Sequence, residues 1–148
     1  MVYEDYPEAG IALATPENFV DWEQLDSGWW VTGAPDKSLI LICKDQEWKE
    51  WDDVLKATAD LLPEFKGSGQ AVTKDKTKDG IEVWFDFGAA KLWNKPHAVF
   101  IAGYLMEEHD FVMILAWPPD KTEAIKPTAL KIIGSIVRLN KYQNKDDQ

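Results

Sequence analysis

Two neighbouring segments that are apolar on both faces constrain the fold more than any other feature of the sequence. Residues 98–106 alternate Ala, Phe, Ala, Tyr and Met with Val, Ile, Gly and Leu, and residues 111–117 read Phe-Val-Met-Ile-Leu-Ala-Trp. Successive side chains of a strand point to opposite faces, so a strand that is apolar in both sets is covered on both sides. The polar segment 107–110 between them predicts a turn. We therefore expect an antiparallel hairpin at the centre of a sheet with both faces covered.

Five further segments have the pattern of strands. Residues 38–44 are again apolar on both faces, whereas 81–87 alternate strictly between apolar residues and a set of Glu, Trp and Asp. Weaker strands are predicted at 10–14, 28–32 and 70–74. Together with the hairpin, these segments predict a mainly antiparallel sheet of about six or seven strands.

Two helices are expected to cover this sheet. The first is predicted over 45–62, with Asp45 as its N-cap, an apolar stripe at intervals of three and four residues, and Pro63 at its end. The second is predicted over 121–139, where alanine and isoleucine side chains form the buried stripe. The residues expected in the core are Leu41, Cys43, Leu55, Leu62, Phe85, Phe100, Ile101, Leu115, Ile133 and Ile136.

The length of the chain limits its domain organisation. Its 148 residues suffice for one ordinary domain, which we place at 10–139, between an N-terminal extension (1–9) and a polar tail (140–148). The sequence has no apolar run of about 18 residues, and its N-terminus lacks the basic and apolar regions of a leader peptide. We therefore expect no membrane span and a cytoplasmic location. The alternative is the periplasm or cell envelope, if an export signal has been removed.

The charge balance excludes several classes of partner. The chain carries 16 Lys and Arg against 26 Asp and Glu, a net charge of -10. Residues 1–66 contain 15 of the acidic side chains and only 5 lysines, so the whole excess lies there. Such a surface repels phosphate groups, which argues against nucleic acids and anionic membranes as partners. The acidic part is predicted to be either a solvated face or a docking surface for a basic partner.

The residues that could carry chemistry do not form a recognisable catalytic or metal-binding motif. Cys43 lies in an apolar strand, and buried thiols are protonated and inert. Residues 107–110 contain three carboxylates and an imidazole, but consecutive turn residues rarely converge on one metal ion. Residues 67–69 lack the lysine of a phosphate-binding loop. We therefore predict a protein that is not an enzyme and has no metal or cofactor.

Tryptophan is the one compositional outlier, with eight residues in the chain. Trp84 points with Glu82 and Asp86 to the polar side of strand 81–87, Trp93 lies in a loop, and Trp30 belongs to a pair whose rings face opposite ways. Exposed tryptophans are frequent in binding hot spots. These five residues are therefore the candidate ligand-binding or partner-binding site. The alternative is that a second helix layer covers Trp84.

The order of the predicted elements resembles that of the PsbP-like superfamily, over about residues 10–139. The resemblance rests on the strand that ends in Ile11-Ala-Leu-Ala-Thr-Pro16, a helix after the third strand, and the hairpin Val99 to Trp117. It also rests on the final segment, Leu130-Lys-Ile-Ile-Gly-Ser-Ile-Val-Arg-Leu139. The superfamily includes PsbP, Ran-binding Mog proteins, bacterial lipoproteins and Eag chaperones. The resemblance implies an α+β fold, a three-layer α/β/α sandwich that acts as a binding module.

Two functions remain open on these grounds. The first is a non-enzymatic accessory protein, a chaperone or adaptor that grips a protein or apolar peptide partner. The second is an exported, lipoprotein-type module that binds a small molecule or glycan through exposed tryptophans. The sequence also leaves open whether the protein forms a homodimer.

Overall fold

A computed structural model describes residues 1–6, 10–107 and 109–139. The helices in this part of the chain are α1 (Trp51–Thr58) and α2 (Thr122–Gly134), and a short 3-10 turn (Pro119–Lys121) precedes α2. Its strands are β1 (Val2–Tyr6), β2 (Ile11–Thr15), β3 (Glu23–Gln24), β4 (Trp30–Gly33), β5 (Ile40–Asp45), β6 (Lys66–Gly67), β7 (Thr73–Lys76), β8 (Glu82–Leu92), β9 (Lys95–Leu105), β10 (Phe111–Trp117) and β11 (Val137–Arg138).

The strands form two antiparallel sheets. The larger has the order β3-β4-β5-β10-β9-β8-β6, with β7 also paired to β8. The smaller has the order β1-β2-β11. The predicted central hairpin is confirmed, because β9 and β10 pair from Tyr104 opposite Phe111 to Ala98 opposite Trp117 and lie inside the larger sheet. Each of the seven predicted strands has a counterpart, but the one predicted at 70–74 lies at Thr73–Lys76, and the one predicted at 10–14 belongs to the smaller sheet. Strands β1, β3, β6 and β11 were not predicted.

The larger sheet has a separate core on each face. The first core contains buried side chains of β2, α2 and one set of alternating sheet residues. The second contains Val54 of α1, the preceding Trp48 and the opposite set of sheet residues. The predicted α+β sandwich is confirmed, with α1 on one face and α2 together with the small sheet on the other. Eight of the ten predicted core residues are buried, whereas Leu55 and Phe85 are half-buried.

Strand β9 shows how alternation builds both cores. Phe100 and Tyr104 face the first core, while Val99 and Ile101 face the second. The Tyr104 hydroxyl donates to the Ile133 carbonyl of α2 at 2.8 Å, and burial raises the pKa of this phenol well above its usual value. Alternate side chains of this one strand therefore pack into the cores on both faces of the sheet.

The first helix is shorter than predicted and begins later. Asp45 remains in β5, where it pairs with Phe111, so it does not serve as the N-cap. Glu50 is the N-cap instead, in a capping box with Asp53, whose carboxylate accepts from the Glu50 amide at 2.9 Å. This backbone hydrogen bond, with a second from the Lys49 amide, lowers the pKa of Asp53. The prediction of 45–62 was wrong because the apolar stripe begins before the helix does.

The second helix also ends earlier than predicted, at Gly134 rather than near residue 139. The Ser135 hydroxyl donates to the Ile132 carbonyl at 2.7 Å and accepts from the Ala14 amide at 2.9 Å. The chain then forms β11, which pairs with β2. The backbone hydrogen bonds of this segment are therefore made with β2 and not within a helix. This explains why the apolar pattern extends beyond the end of α2.

Phe100→Ala should lower the free energy of unfolding by about 3–5 kcal/mol, because the cavity left behind is only partly refilled. The Phe100 ring is buried among the rings of Phe85, Phe87 and Trp117. Urea unfolding measures the change, with Leu130→Ala on the exposed side of α2 as the control. A loss under about 1 kcal/mol would contradict the assigned packing of β9.

Gly103→Ala should destabilise the protein by about 1–3 kcal/mol through overpacking. A Cβ atom at Gly103 would lie 2.8 Å from the Trp48 indole and 3.0 Å from the Val54 side chain. The matched control is Gly134→Ala, since a Cβ atom at that position meets nothing within 4 Å. Thermal unfolding of the two variants should show a loss for the first alone.

Candidate functional site

The eight tryptophans differ sharply in their exposure. Trp29, Trp48 and Trp117 are buried in the cores, and Trp22, Trp30, Trp51 and Trp84 are half-buried. Trp93 is 48% exposed, the only tryptophan in the described residues with so open a ring. The compositional excess therefore consists mostly of packing residues and includes one surface residue.

Trp84 is a packing residue at the edge of the second core. Its ring meets the Trp48 ring edge-on, with 5.1 Å between the centroids. The Lys74 ammonium lies 4.0 Å from the Trp84 centroid, on the neighbouring β7. A cation and a second indole thus cover much of the ring that we considered as an exposed platform.

The two carboxylates beside Trp84 have different surroundings. Glu82 is exposed. Asp86 is half-buried, and its carboxylate accepts from the Ser68 hydroxyl at 2.8 Å and from the Phe87 amide at 2.9 Å. Asp86 therefore anchors the loop after β6 to β8.

The five candidate residues do not lie together. Trp30 packs against the first core, on the opposite face of the sheet from Trp84. Trp84 and Trp93 are nine positions apart along β8 and its turn, which corresponds to about 30 Å. The structure thus does not bring the five residues together in one site.

The backbone at Trp93 has an unusual conformation. Trp93 and Asn94 form the two-residue turn between β8 and β9, with φ angles of 51° and 68°. Positive φ at both positions is the pattern of a type I′ hairpin turn, in which Asn and Gly are the favoured residues. A bulky side chain in the left-handed region costs about 1–2 kcal/mol. Strain of this kind is concentrated at functional sites.

Trp93 forms one wall of an apolar cleft of about 280 Å³, the first cleft. Val20, which is 47% exposed, lies on the same cleft. The Thr32 hydroxyl donates to the Val20 carbonyl and so fixes this segment to β4. The other apolar lining residues are Leu25, Val31, Ala34, Pro35 and Ile40.

The charged residues of the first cleft are Asp21, Glu23 and Lys37. Partial burial and the negative charge of Asp21 raise the pKa of Glu4, on β1. With two carboxylates and one ammonium, the charged lining of the first cleft is mainly acidic, in agreement with the acidic excess of the first part of the sequence.

Trp93 also borders a second cleft, of about 320 Å³. Asp60, Leu61, Pro63 and Glu64, which follow α1, line it together with Lys91, Trp93 and Asn94. The Lys91 ammonium lies 3.6 Å from the Glu64 carboxylate. Trp93 thus borders an apolar cleft and a more polar one.

The described residues around these clefts show no catalytic or metal-binding arrangement. No group of three His, Cys, Asp or Glu side chains that could hold a metal ion occurs within the described ranges. Cys43 is buried, and desolvation raises the pKa of its thiol far above the usual value. Of the residues that the structure describes, no histidine or cysteine lines either cleft. The arrangement offers apolar contact, ring stacking and charge, which are the components of a binding site.

Neither described helix has the length and apolar character needed to cross a bilayer.

Comparisons with known proteins identify the fold. The sequence matches no family model and no curated protein. PsbP (CyanoP) from Synechocystis sp. PCC 6803 is similar in structure, with a TM-score of 0.68, 7% identity, and 93% of this chain and 91% of that chain covered. The fold is therefore PsbP-like, as the element order predicted.

Two further solved structures share this fold. LpqN, described as involved in cell envelope biogenesis of Mycobacterium tuberculosis, has a TM-score of 0.52 and 20% identity, with 86% of this chain and 82% of LpqN covered. PA94 from Pseudomonas aeruginosa, described as a protein of unknown function and putative regulator, has a TM-score of 0.53 and 13% identity. The match covers 93% of this chain and 96% of PA94.

Sequence reasoning named Trp93 but missed the cleft that it borders. Val20, Leu25 and Val31 come from β4 and the segment before it, far from Trp93 in sequence. The only sequence signal for the turn was the pair Trp93-Asn94 between two strands, which becomes recognisable once β8 and β9 extend to residues 92 and 95.

The same substitution should destabilise the protein at Trp84 but not at Trp93. Trp93→Asn should leave the free energy of unfolding unchanged or raise it by about 1 kcal/mol, because Asn adopts positive φ at lower cost. Trp84→Asn should lower it by about 2 kcal/mol or more, since contacts with Trp48 and Lys74 are lost. Urea unfolding measures both. A loss at Trp93 as large as that at Trp84 would contradict a surface role for Trp93.

Proposed function

We propose that this protein is a non-catalytic binding module that holds a segment of a partner protein in the first cleft, beside Trp93. The observation that carries the proposal is the exposed Trp93 ring at a strained turn, bordering an apolar cleft. A strained surface residue that adds little to packing is best explained by an interaction outside the chain. Tryptophan is also among the residues most enriched at binding hot spots.

The dimensions of the first cleft suit one or two side chains of a peptide. Its volume of about 280 Å³ is slightly smaller than that of typical small-molecule sites, which measure about 300–1,000 Å³. The lining is mostly aliphatic, and Val20 extends it towards the surface. An apolar side chain inserted there would contact Trp93 on one side and Val20 on another.

The similar structures support an accessory role. Their descriptions name PsbP, a protein involved in cell envelope biogenesis and a putative regulator, and none of the three describes an enzyme. Their low identity limits the likeness to the fold, so the binding site proposed for this chain rests on its own residues. A chaperone or adaptor acting in the cytoplasm, as expected from the sequence, is the form of this proposal that we favour.

A display library of random peptides provides the test. Peptides selected on the protein should shift the NMR signal of the Trp93 indole, and Trp93→Asn should weaken their affinity by about 30-fold or more, as hot-spot truncation does. Leu130→Ala, at a 41% exposed apolar position on α2, is the control and should have no effect. Peptides that bind equally to Trp93→Asn would contradict the proposal. Sedimentation measures whether a second copy occupies the cleft instead.

The second cleft favours another candidate function, the binding of a glycan or small polar molecule. There Trp93 stands beside Asn94, Lys91, Asp60 and Glu64, which supply hydrogen-bond donors and acceptors next to an aromatic ring. A role in the cell envelope, such as that described for LpqN, would accompany this function. Soluble cell-wall oligosaccharides that quench tryptophan fluorescence in the parent protein but not in Trp93→Asn would favour it over peptide binding.

A further inference from the structure

We infer that the partner segment is basic as well as apolar, with an apolar side chain in the first cleft and a neighbouring Lys or Arg at Asp21 and Glu23. This inference rests on the proposed function and specifies the chemistry of the partner. It follows from two carboxylates beside the apolar lining that form no ion pair with any described residue.

Asp21 and Glu23 are both exposed and both border the cleft. Neither forms an ion pair within residues 1–6, 10–107 and 109–139, whereas Glu64 beside the second cleft pairs with Lys91 at 3.6 Å. Among the described residues that line the first cleft, the one cation is Lys37. Two carboxylates and one ammonium leave a negative rim that an incoming cation can complement.

The surroundings of the rim add to its negative charge. Partial burial and the charge of Asp21 raise the pKa of Glu4 on β1, so a further acidic side chain lies near Asp21. The segment 1–66 supplies the whole net charge of -10. An acidic partner would be repelled at this position, while a basic one would be steered towards it.

The geometry of the first cleft places the two types of contact close together. Asp21 follows Val20 directly in the sequence, and Glu23, the first residue of β3, lies two positions further on. An apolar residue that contacts Val20 therefore brings its own neighbours within reach of Asp21. The expected motif is a large apolar residue with Lys or Arg one or two positions away.

The test uses a display library with a fixed central Leu or Phe and random flanking residues. Lys and Arg should be enriched in the flanks, and Asp21→Asn combined with Glu23→Gln should weaken a selected basic peptide by about five- to tenfold. The same double variant should not change the affinity of a matched peptide with neutral flanks. Raising the salt concentration should reduce the difference between the peptides.

Asp75→Asn combined with Glu123→Gln is the matched control, because it removes the same charge from exposed positions on β7 and α2. Its effect on the basic peptide should be under about twofold. Circular dichroism verifies that both double variants remain folded.

The outcomes separate this inference from the proposed function. If selected peptides depend on Trp93 but show no basic preference, or if both double variants weaken binding equally, the inference is overturned and the proposed function stands. If the selected peptides bind Trp93→Asn as well as the parent protein, or if the library yields no binder, the proposed function fails and the inference fails with it.

Discussion

The pairing of β9 with β10 is the constraint on which the rest of the structure depends. All seven residues of β10 are buried, and β9 is buried from His97 to Tyr104. A hairpin that is apolar on both faces is stable only when two layers cover it. The small sheet and α2 provide one layer, and α1 with Trp48 provides much of the other. The remaining strands extend the sheet on each side of this hairpin.

The two covering layers are unequal, and the candidate site is a consequence of that difference. On the first face, α2 and β2 contribute continuous apolar surface. On the second, α1 has only eight residues, so individual side chains such as Trp29 and Trp48 complete the core. The first cleft opens on the same face, between the segment around β3 and β4 and the β8–β9 turn. An incomplete layer thus leaves apolar surface available to a partner.

The left-handed turn at Trp93 follows from the register of the long hairpin. Pairing of Leu92 with Lys95 leaves two residues to reverse the chain, and a two-residue turn of this type requires positive φ at both. The register of the β8–β9 pair thus places Trp93 in the turn, with its ring outside the core. Asparagine adopts a positive φ readily, so Asn94 suits its position. Trp93 adopts the same conformation at a cost in conformational free energy.

The sequence by itself determined the central hairpin, the antiparallel sheet and the presence of two covering helices, because alternation of apolar side chains is a local property of the chain. It could not locate the ends of α1, since Asp45 pairs with Phe111 across the sheet, a contact far away in sequence. Composition drew attention to Trp93 among the tryptophans. Only the tertiary structure decided that Trp84 packs against Trp48 while Trp93 lines a cleft together with Val20. Exposure depends on which distant segments meet a side chain, and strand periodicity specifies only the face to which it points.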